Sequence, residues 1–289
     1  LQVQGPTADK IFERANGGKM PEIPFFSMAD FKIGPHKVSG LNHRMSGAPG
    51  LEFWGPMDEM EGVIATLKSV GEDLGLKLGG SRTYATVAHE SGLIPSPTPA
   101  IYSGEKMKAY RQWLGANGFE ANASLGGSFY SDRIEDYYQT PWDLSYGKLI
   151  KFEDHEFIGK QALLAMKDQP HRTKKWLKWS EEDVMKVFQS MFNTGDRYKY
   201  MEMPAAQYAT LPFDKVMLNG KMIGVSLYPV YTANVRGWIS LAMIDEVDAK
   251  DGTEVQIVWG EENGGSRKPN VERHIQTTIR ARIASGPFA

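Results

Sequence analysis

The dipeptide Asn219-Gly220 lies between two largely apolar runs, Lys215–Leu218 and Met222–Leu227, and narrows what this chain can fold into more than any other feature. Asn-Gly accepts the left-handed backbone that a two-residue hairpin turn demands, so the two runs read as paired antiparallel strands. Three more strand-like runs follow behind turn signals: Trp238–Ile244, Glu254–Trp259 and His274–Ile283. Upstream, Thr173–Trp179 alternates as a strand, and Glu181–Phe192 has helical spacing behind Ser180, a residue suited to an N-cap. Short strands in close succession predict a small antiparallel barrel or sandwich. The change of character after Asp168-Gln169-Pro170 places a domain boundary near residue 170, with 1–170 an α/β region and 171–289 a barrel or jelly-roll domain.

The first part mixes both periodicities. Leu1–Gln4, Phe25–Ile33, His36–Met45 and Leu51–Trp54 read as strands, and Pro6–Ala15 has the spacing of a helix. Alternation puts Glu52 and Trp54 on one face of the last strand, Leu51 and Phe53 on the other. Met57–Leu74 is the strongest amphipathic helix, with Met60, Val63, Ile64, Leu67 and Val70 at three- and four-residue steps. Shorter helices are expected over Lys106–Leu114 and Gln161–Met166. Between them, Leu78–Pro99 opens on Gly79-Gly80 and contains Pro95, Pro97 and Pro99, which predicts a long loop. That loop carries Arg82, Tyr84 and Glu90. Either it holds functional side chains, as such loops often do, or it is a surface connection in which Tyr84 packs. Because the chain starts at Leu1 inside a strand, it reads as the C-terminal part of a longer polypeptide.

Composition removes several classes. With 41% hydrophobic and 24% charged residues, the 289-residue chain is of ordinary globular character. A net charge of −2, from 33 basic and 35 acidic residues, offers no footprint for nucleic acid. The absence of cysteine excludes disulfides, thiolate nucleophiles and cysteine-based metal sites, and fits a cytoplasmic location. No apolar run approaches the roughly 20 residues of a membrane helix, so no membrane partner is expected. His36, His43, His89, His155, His171 and His274 are scattered with no HExxH, so no metal site is expected. GxSxG, Walker and GxGxxG motifs are missing. Glu261–Pro269 mixes charge with glycine and reads as a solvated hairpin tip. Glu52, between Leu51 and Phe53, is oddly placed for a solvated charge. Either Arg44 pairs with it, or a heterocycle presents adjacent N–H donors to it, as the amino-pyrimidinone edge of a pterin does.

Three stretches together resemble the folate-dependent aminomethyltransferase family, the T-protein of glycine cleavage and its relatives. They are HRMSGAPGLEFWGP (43–56), LGLKLGGSRTYATVAHESGL (74–93) and TPWDLSYGKLIKFEDHEFIGKQAL (140–163). DKVMLNGKMIGVSLYP (214–229) matches the hairpin of the family's C-terminal barrel. SRTY, ESGLIPSPTPAIYSG, GGSF, IEDYY and WGEENGGSRK are similar to the branch of tetrahydrofolate-dependent O-demethylases that act on vanillate and syringate. The resemblance implies an α+β chain: T-protein-like mixed α/β folate-binding domains, here over 1–170, followed by an antiparallel β-barrel or jelly-roll domain over 171–289.

It also implies a site. Glu52 falls on the pterin-binding glutamate, and Gln2 and Phe25 fall on positions lining the folate pocket. Leu93 stands where vanillate-acting members carry a tryptophan beside the folate. Tyr84 falls on the tyrosine proposed as the catalytic acid. Tyr84-Ala85 replaces the Arg-Asp pair of the glycine-cleavage enzymes, which argues against handling an aminomethyl group. The implied reaction moves a methyl group from the ether oxygen of a small methoxy-aromatic acid to N5 of tetrahydrofolate. A phenol of pKa ~10 is matched to a phenolate leaving group, so protonation is near balanced as the C–O bond breaks. No metal is required. The family's residues for the substrate carboxylate belong to an N-terminal portion outside this chain, so the missing segment is expected to be needed for a complete site. The alternatives are demethylation of a sulfonium such as dimethylsulfoniopropionate, aminomethyl transfer, or folate binding without catalysis.

Overall fold

The structure is a computed structural model and describes residues 1–94, 104–115, 125–206, 211–227, 229–265 and 271–288. The chain forms two compact units, Leu1–Leu93 and Ile94–Ala289. The sequence places its boundary near 170, where the barrel strands start; by compactness, residues 94–170 group with the barrel.

In the first unit, strands β1 (Gln2–Gln4), β2 (Met28–Ile33), β3 (His36–Leu41) and β4 (Gly50–Trp54) make an antiparallel sheet in the order β1-β4-β3-β2. Helices α1 (Ala8–Asn16) and α2 (Met60–Gly71) contact each other. Ile11, Phe12 and Ala15 of α1 and Val63 and Leu67 of α2 share a core with Phe31, Ile33, Val38, Leu51 and Phe53 of the sheet. Phe12 meets Phe31 and Phe53 edge-on, at ring separations of 5.5 and 5.8 Å. Period-2 alternation therefore sends Met28, Asp30, Glu52 and Trp54 to the opposite face, where they are exposed.

The expected loop over Leu78–Pro99 is corrected in its first half: Ser81–Ser91 is a helix, α3. No proline falls within it, and Ala85, Ala88 and His89 bury one face at steps of three and four. Gly92 caps its end, donating to the Ala88 and His89 carbonyls. Pro95, Pro97 and Pro99 lie outside the described residues.

The second unit holds short helices α4 (Lys108–Trp113) and α5 (Lys160–Met166), the two-residue strand β5 (Leu125–Gly126) and a barrel. The barrel strands are β6 (Arg172–Trp179), β7 (Leu211–Leu218), β8 (Lys221–Leu227), β10 (Gly237–Asp245), β11 (Glu254–Trp259) and β12 (Thr277–Ala284), with β9 (Val230–Thr232) flanking β10. Neighbours run β11-β12-β6-β10-β8-β7, and β7 pairs back to β11, so six antiparallel strands close on themselves. Closure removes both sheet edges. Leu177, Val216, Ile223, Ile244, Ile257 and Ile279 are among the residues of its main core.

The β7–β8 turn has the backbone the sequence demands, with φ of +51° at Asn219 and +80° at Gly220. Helix α6 (Glu181–Ser190) starts at Ser180, whose hydroxyl accepts the Asp183 N–H. Asp183 is bound by Arg280 of β12 at 2.7 Å, which holds its carboxyl far below the ordinary range.

Candidate functional site

Gln2 and Glu52 are direct cross-strand partners on the open face of the first sheet, and Leu41 and Met28 continue the same row. The Gly-x-Glu spacing has a physical cause. Gly50 pairs with Gln4 at a φ of +139°, and a Cβ there would sit 2.2 Å from the Val3 carbonyl oxygen. Only glycine lets β1 lie this close to β4. Gly50→Ala should therefore cost about 2–3 kcal/mol and loosen β1, taking Gln2 from Glu52. Urea unfolding together with amide exchange on Val3 and Gln4 measures both effects.

Glu52 itself is corrected in two respects. Its side chain is 52% exposed rather than buried, and its partner is His43 rather than Arg44. His43 Nε2 lies 2.9 Å from Glu52 Oε2, and His43 Nδ1 accepts the Met45 N–H at 3.0 Å. Scattered histidines gave no sign of this in sequence, because the chain must turn after β3 to bring His43 back to β4. Arg44 has a left-handed backbone, φ +47°, within that turn.

Phe25 is exposed and meets Phe26 edge-to-face at 4.8 Å. Phe26 donates its N–H to the Asn42 carbonyl at 2.7 Å, which fixes this pair at the His43 end of the β2–β3 hairpin. Gln2, Phe25 and Glu52 thus converge on one end of the sheet. Tyr84 lies on α3 and is 47% exposed, beside the buried Ala85. Leu93 follows that helix, half-buried, with its N–H on the Ala88 carbonyl at 2.9 Å. The end of α3 lies beside the glycine loop before β4: a Cβ on Gly47 would be 3.7 Å from Ser91 Cβ.

A second polar cluster lies inside the barrel unit. The Lys199 ammonium is buried 2.8 Å from Glu261 Oε1 and 5.2 Å from the Trp259 ring centre. Gly127 N–H also donates to Glu261 Oε1, at 3.1 Å. Asp214, fully buried, accepts the Ser128 N–H at 3.0 Å. His274 donates from Nδ1 to the Glu272 carbonyl and accepts the Glu261 N–H on Nε2. The expected solvated tip at Glu261–Pro269 is corrected for Glu261, which is partly buried and pairs with Lys199; residues 266–270 lie outside the described residues. Burial pushes the Asp214 carboxyl up to about 6, Lys199 opposing the rise. Burial would raise Glu261 too, but His274, Lys199 and Gly127 N–H together hold it down to about 2.

Among the described residues, no group of three or more His, Asp or Glu side chains could hold a metal ion, and no helix is long and apolar enough to cross a membrane.

Comparison with known proteins adds a family context. No family model matches the chain. It is 44% identical to the syringate O-demethylase of a Sphingobium species over 289 residues, all of this chain and 62% of that protein. It is 26% identical to the sesamin methylene transferase of a Sinomonas species, over 96% of this chain and 63% of the relative. An aminomethyltransferase of Caldanaerobacter subterraneus subsp. tengcongensis is 24% identical over 89% of the chain and 54% of its own length. The chain thus spans under two thirds of the length of these relatives. Among solved structures, the glycine cleavage system aminomethyltransferase T of Bartonella henselae superposes with a TM-score of 0.58 at 16% identity, over all of this chain and 58% of that one. That likeness establishes the fold: mixed α/β elements followed by a C-terminal barrel.

Proposed function

We propose that the chain is a member of the aminomethyltransferase (T-protein) family and, on that premise, that the protein is a tetrahydrofolate-dependent O-demethylase acting on a small methoxy-aromatic acid of the syringate or vanillate type. The observation that carries this reading is 44% identity to a syringate O-demethylase over all of this chain and 62% of that protein. Tyr84-Ala85, in place of an Arg-Asp pair, supports ether cleavage over aminomethyl transfer.

The exposed face at Gln2 and Glu52 fits a pterin. Glu52 is an accessible carboxylate whose Oε2 is already oriented by an N–H donor, and a carboxylate can accept from the adjacent N–H groups of an amino-pyrimidinone edge. Gln2 stands across the strand pair with a further amide, and Phe25 offers an exposed ring. Tetrahydrofolate, when bound, would supply N5 as the methyl acceptor. Glu52 holds the pterin edge, and Gln2, Phe25 and Leu93 line its pocket. The Tyr84 hydroxyl donates its proton to the ether oxygen as the C–O bond breaks, so that a phenol leaves instead of a phenolate, and the proton that the acceptor nitrogen would lose on methylation balances the one Tyr84 gives up. Orientation supplies the remainder, since the methyl carbon has to lie between the ether oxygen and the acceptor nitrogen.

The test is the full-length polypeptide with tetrahydrofolate and syringate or vanillate, followed by mass spectrometry of 5-methyltetrahydrofolate. Product that requires both reactants is expected. Folate binding without product from either acid would overturn the assignment of substrate. In the same system, Glu52→Gln is expected to weaken tetrahydrofolate binding by about tenfold or more in calorimetry, because one acceptor oxygen becomes an NH2 that donates rather than accepts, and the charge on the other is lost. An unchanged dissociation constant would remove Glu52 from its anchoring role.

A further inference from the structure

The open face of a sheet is a poor place to fix a carboxylate. An exposed Glu side chain has three rotatable bonds and keeps its rotamer freedom unless something else ties it down. A ligand edge with adjacent N–H donors needs the carboxylate plane held before it arrives, or the ordering entropy is lost on binding.

Glu52 is tied down by His43. We propose that His43 is a positioning residue: its Nε2–H fixes Glu52 Oε2 and so presets the carboxylate plane for the pterin edge. This rests on the reading of Glu52 as the pterin anchor.

Four observations carry it. The His43–Glu52 bond is 2.9 Å long. The imidazole is only 12% exposed while the carboxylate it holds is 52% exposed, so a largely enclosed donor meets an accessible acceptor. The tautomer is set by the backbone: Nδ1 accepts the Met45 N–H at 3.0 Å, so a neutral ring carries its proton on Nε2, facing Glu52. The turn carrying His43 is itself pinned, by Gly47 N–H on the Arg44 carbonyl at 2.8 Å and by Ser46 N–H on Gln4 Oε1 at 2.8 Å. Gln4 belongs to β1, the strand that also presents Gln2. A relay of fixed groups therefore runs from β1 through the turn to the imidazole and on to the carboxylate. Glu52 Oε2 retains a second acceptor direction and Oε1 is left to accept from a ligand.

Two measurements on the full-length polypeptide test this. Nitrogen-15 NMR of the imidazole, without ligand, should show His43 protonated at Nε2 and acceptor-like at Nδ1; a proton on Nδ1 would overturn the proposal. A double-mutant cycle then reads tetrahydrofolate affinity by calorimetry. His43→Ala should weaken binding about tenfold with Glu52 present, by less than about twofold in the Glu52→Gln background, and His43→Gln, which keeps an N–H donor, should recover most of the loss. If His43→Ala unfolds the protein, His43→Phe keeps ring volume without the donor and carries the same cycle. Equal losses in both backgrounds would mean that His43 acts independently of Glu52 and would sink the proposal alone. No loss from Glu52→Gln itself would bring down the anchor reading, and the positioning role with it.

Discussion

Tyr84→Phe in the full-length polypeptide should lower turnover by about 10²–10⁴-fold and change tetrahydrofolate affinity by less than about twofold. The hydroxyl is the whole of the change, since the ring and its rotamer are kept. Tyr84 is half-exposed on α3, and the face that anchors the helix is made by Ala85, Ala88 and His89. The variant should therefore unfold within about 0.5 kcal/mol of the parent. Without the hydroxyl, the ether oxygen has to leave as an unprotonated phenolate, and the lost rate is the cost of that charge. Measured kcat with saturating folate and aromatic acid decides it. A kcat within about twofold of the parent would show that the proton comes from elsewhere, as would be natural if the donor were a sulfonium, which leaves as a neutral thioether.

Lys199→Met should destabilise the protein by about 3–5 kcal/mol, the largest effect on stability expected here. The ammonium is buried against Glu261 and over the Trp259 ring, and it faces the charge of Asp214 as well. Methionine fills similar volume but leaves Glu261 in the interior without its countercharge. Glu261 also accepts the Gly127 N–H, so the segment around β5 loses an anionic acceptor when Glu261 takes up a proton. Lys199→Met combined with Glu261→Gln should recover much of the loss, because a buried pair removed together leaves no orphan charge. Denaturant unfolding at pH 7 measures each variant. A cost below about 1 kcal/mol for Lys199→Met would mean the cluster is solvated.

The same cluster sets a pH dependence with opposing signs. Asp214 is raised from 3.8 to about 6, so the folded state binds its proton more tightly than the unfolded state. Its stabilising contribution is complete below the unfolded value and is lost as pH rises from about 4 to 6, on the order of 3 kcal/mol. Glu261 is lowered from 4.5 to about 2, so its contribution is present above 4.5 and is lost as pH falls toward 2. Asp214→Asn removes the first of these alone. Relative to the parent, that variant should gain stability as pH rises from 4 to 6.5, read from paired unfolding curves. A stability difference constant across this window would refute the buried, raised carboxyl.

Much of this molecule is legible in its residues. Asn219-Gly220 specified a hairpin because few residues adopt two consecutive left-handed conformations, and both have them. Ser180 specified the start of α6, and strand parity placed Glu52 and Trp54 opposite Leu51 and Phe53. Local stereochemistry decides these features, and it is written in the chain. The helix α3 was hidden by glycines before it and prolines after it, although Ala85, Ala88 and His89 carry its buried stripe.

What the chain determined by itself is most of the elements outside α3, the barrel's main strands and the residues whose resemblance points to a folate site. Tertiary structure alone decided which face of β4 is open, and so that Glu52 is accessible rather than buried. It alone chose His43 over Arg44 as the partner of Glu52, and it brought Lys199 to Glu261 across 62 residues of sequence. The physical reason is common to all three. Periodicity fixes which side chains share a face, but the environment of a charge depends on what the rest of the chain packs against that face. A carboxylate therefore acquires its partner and its exposure only when distant segments meet.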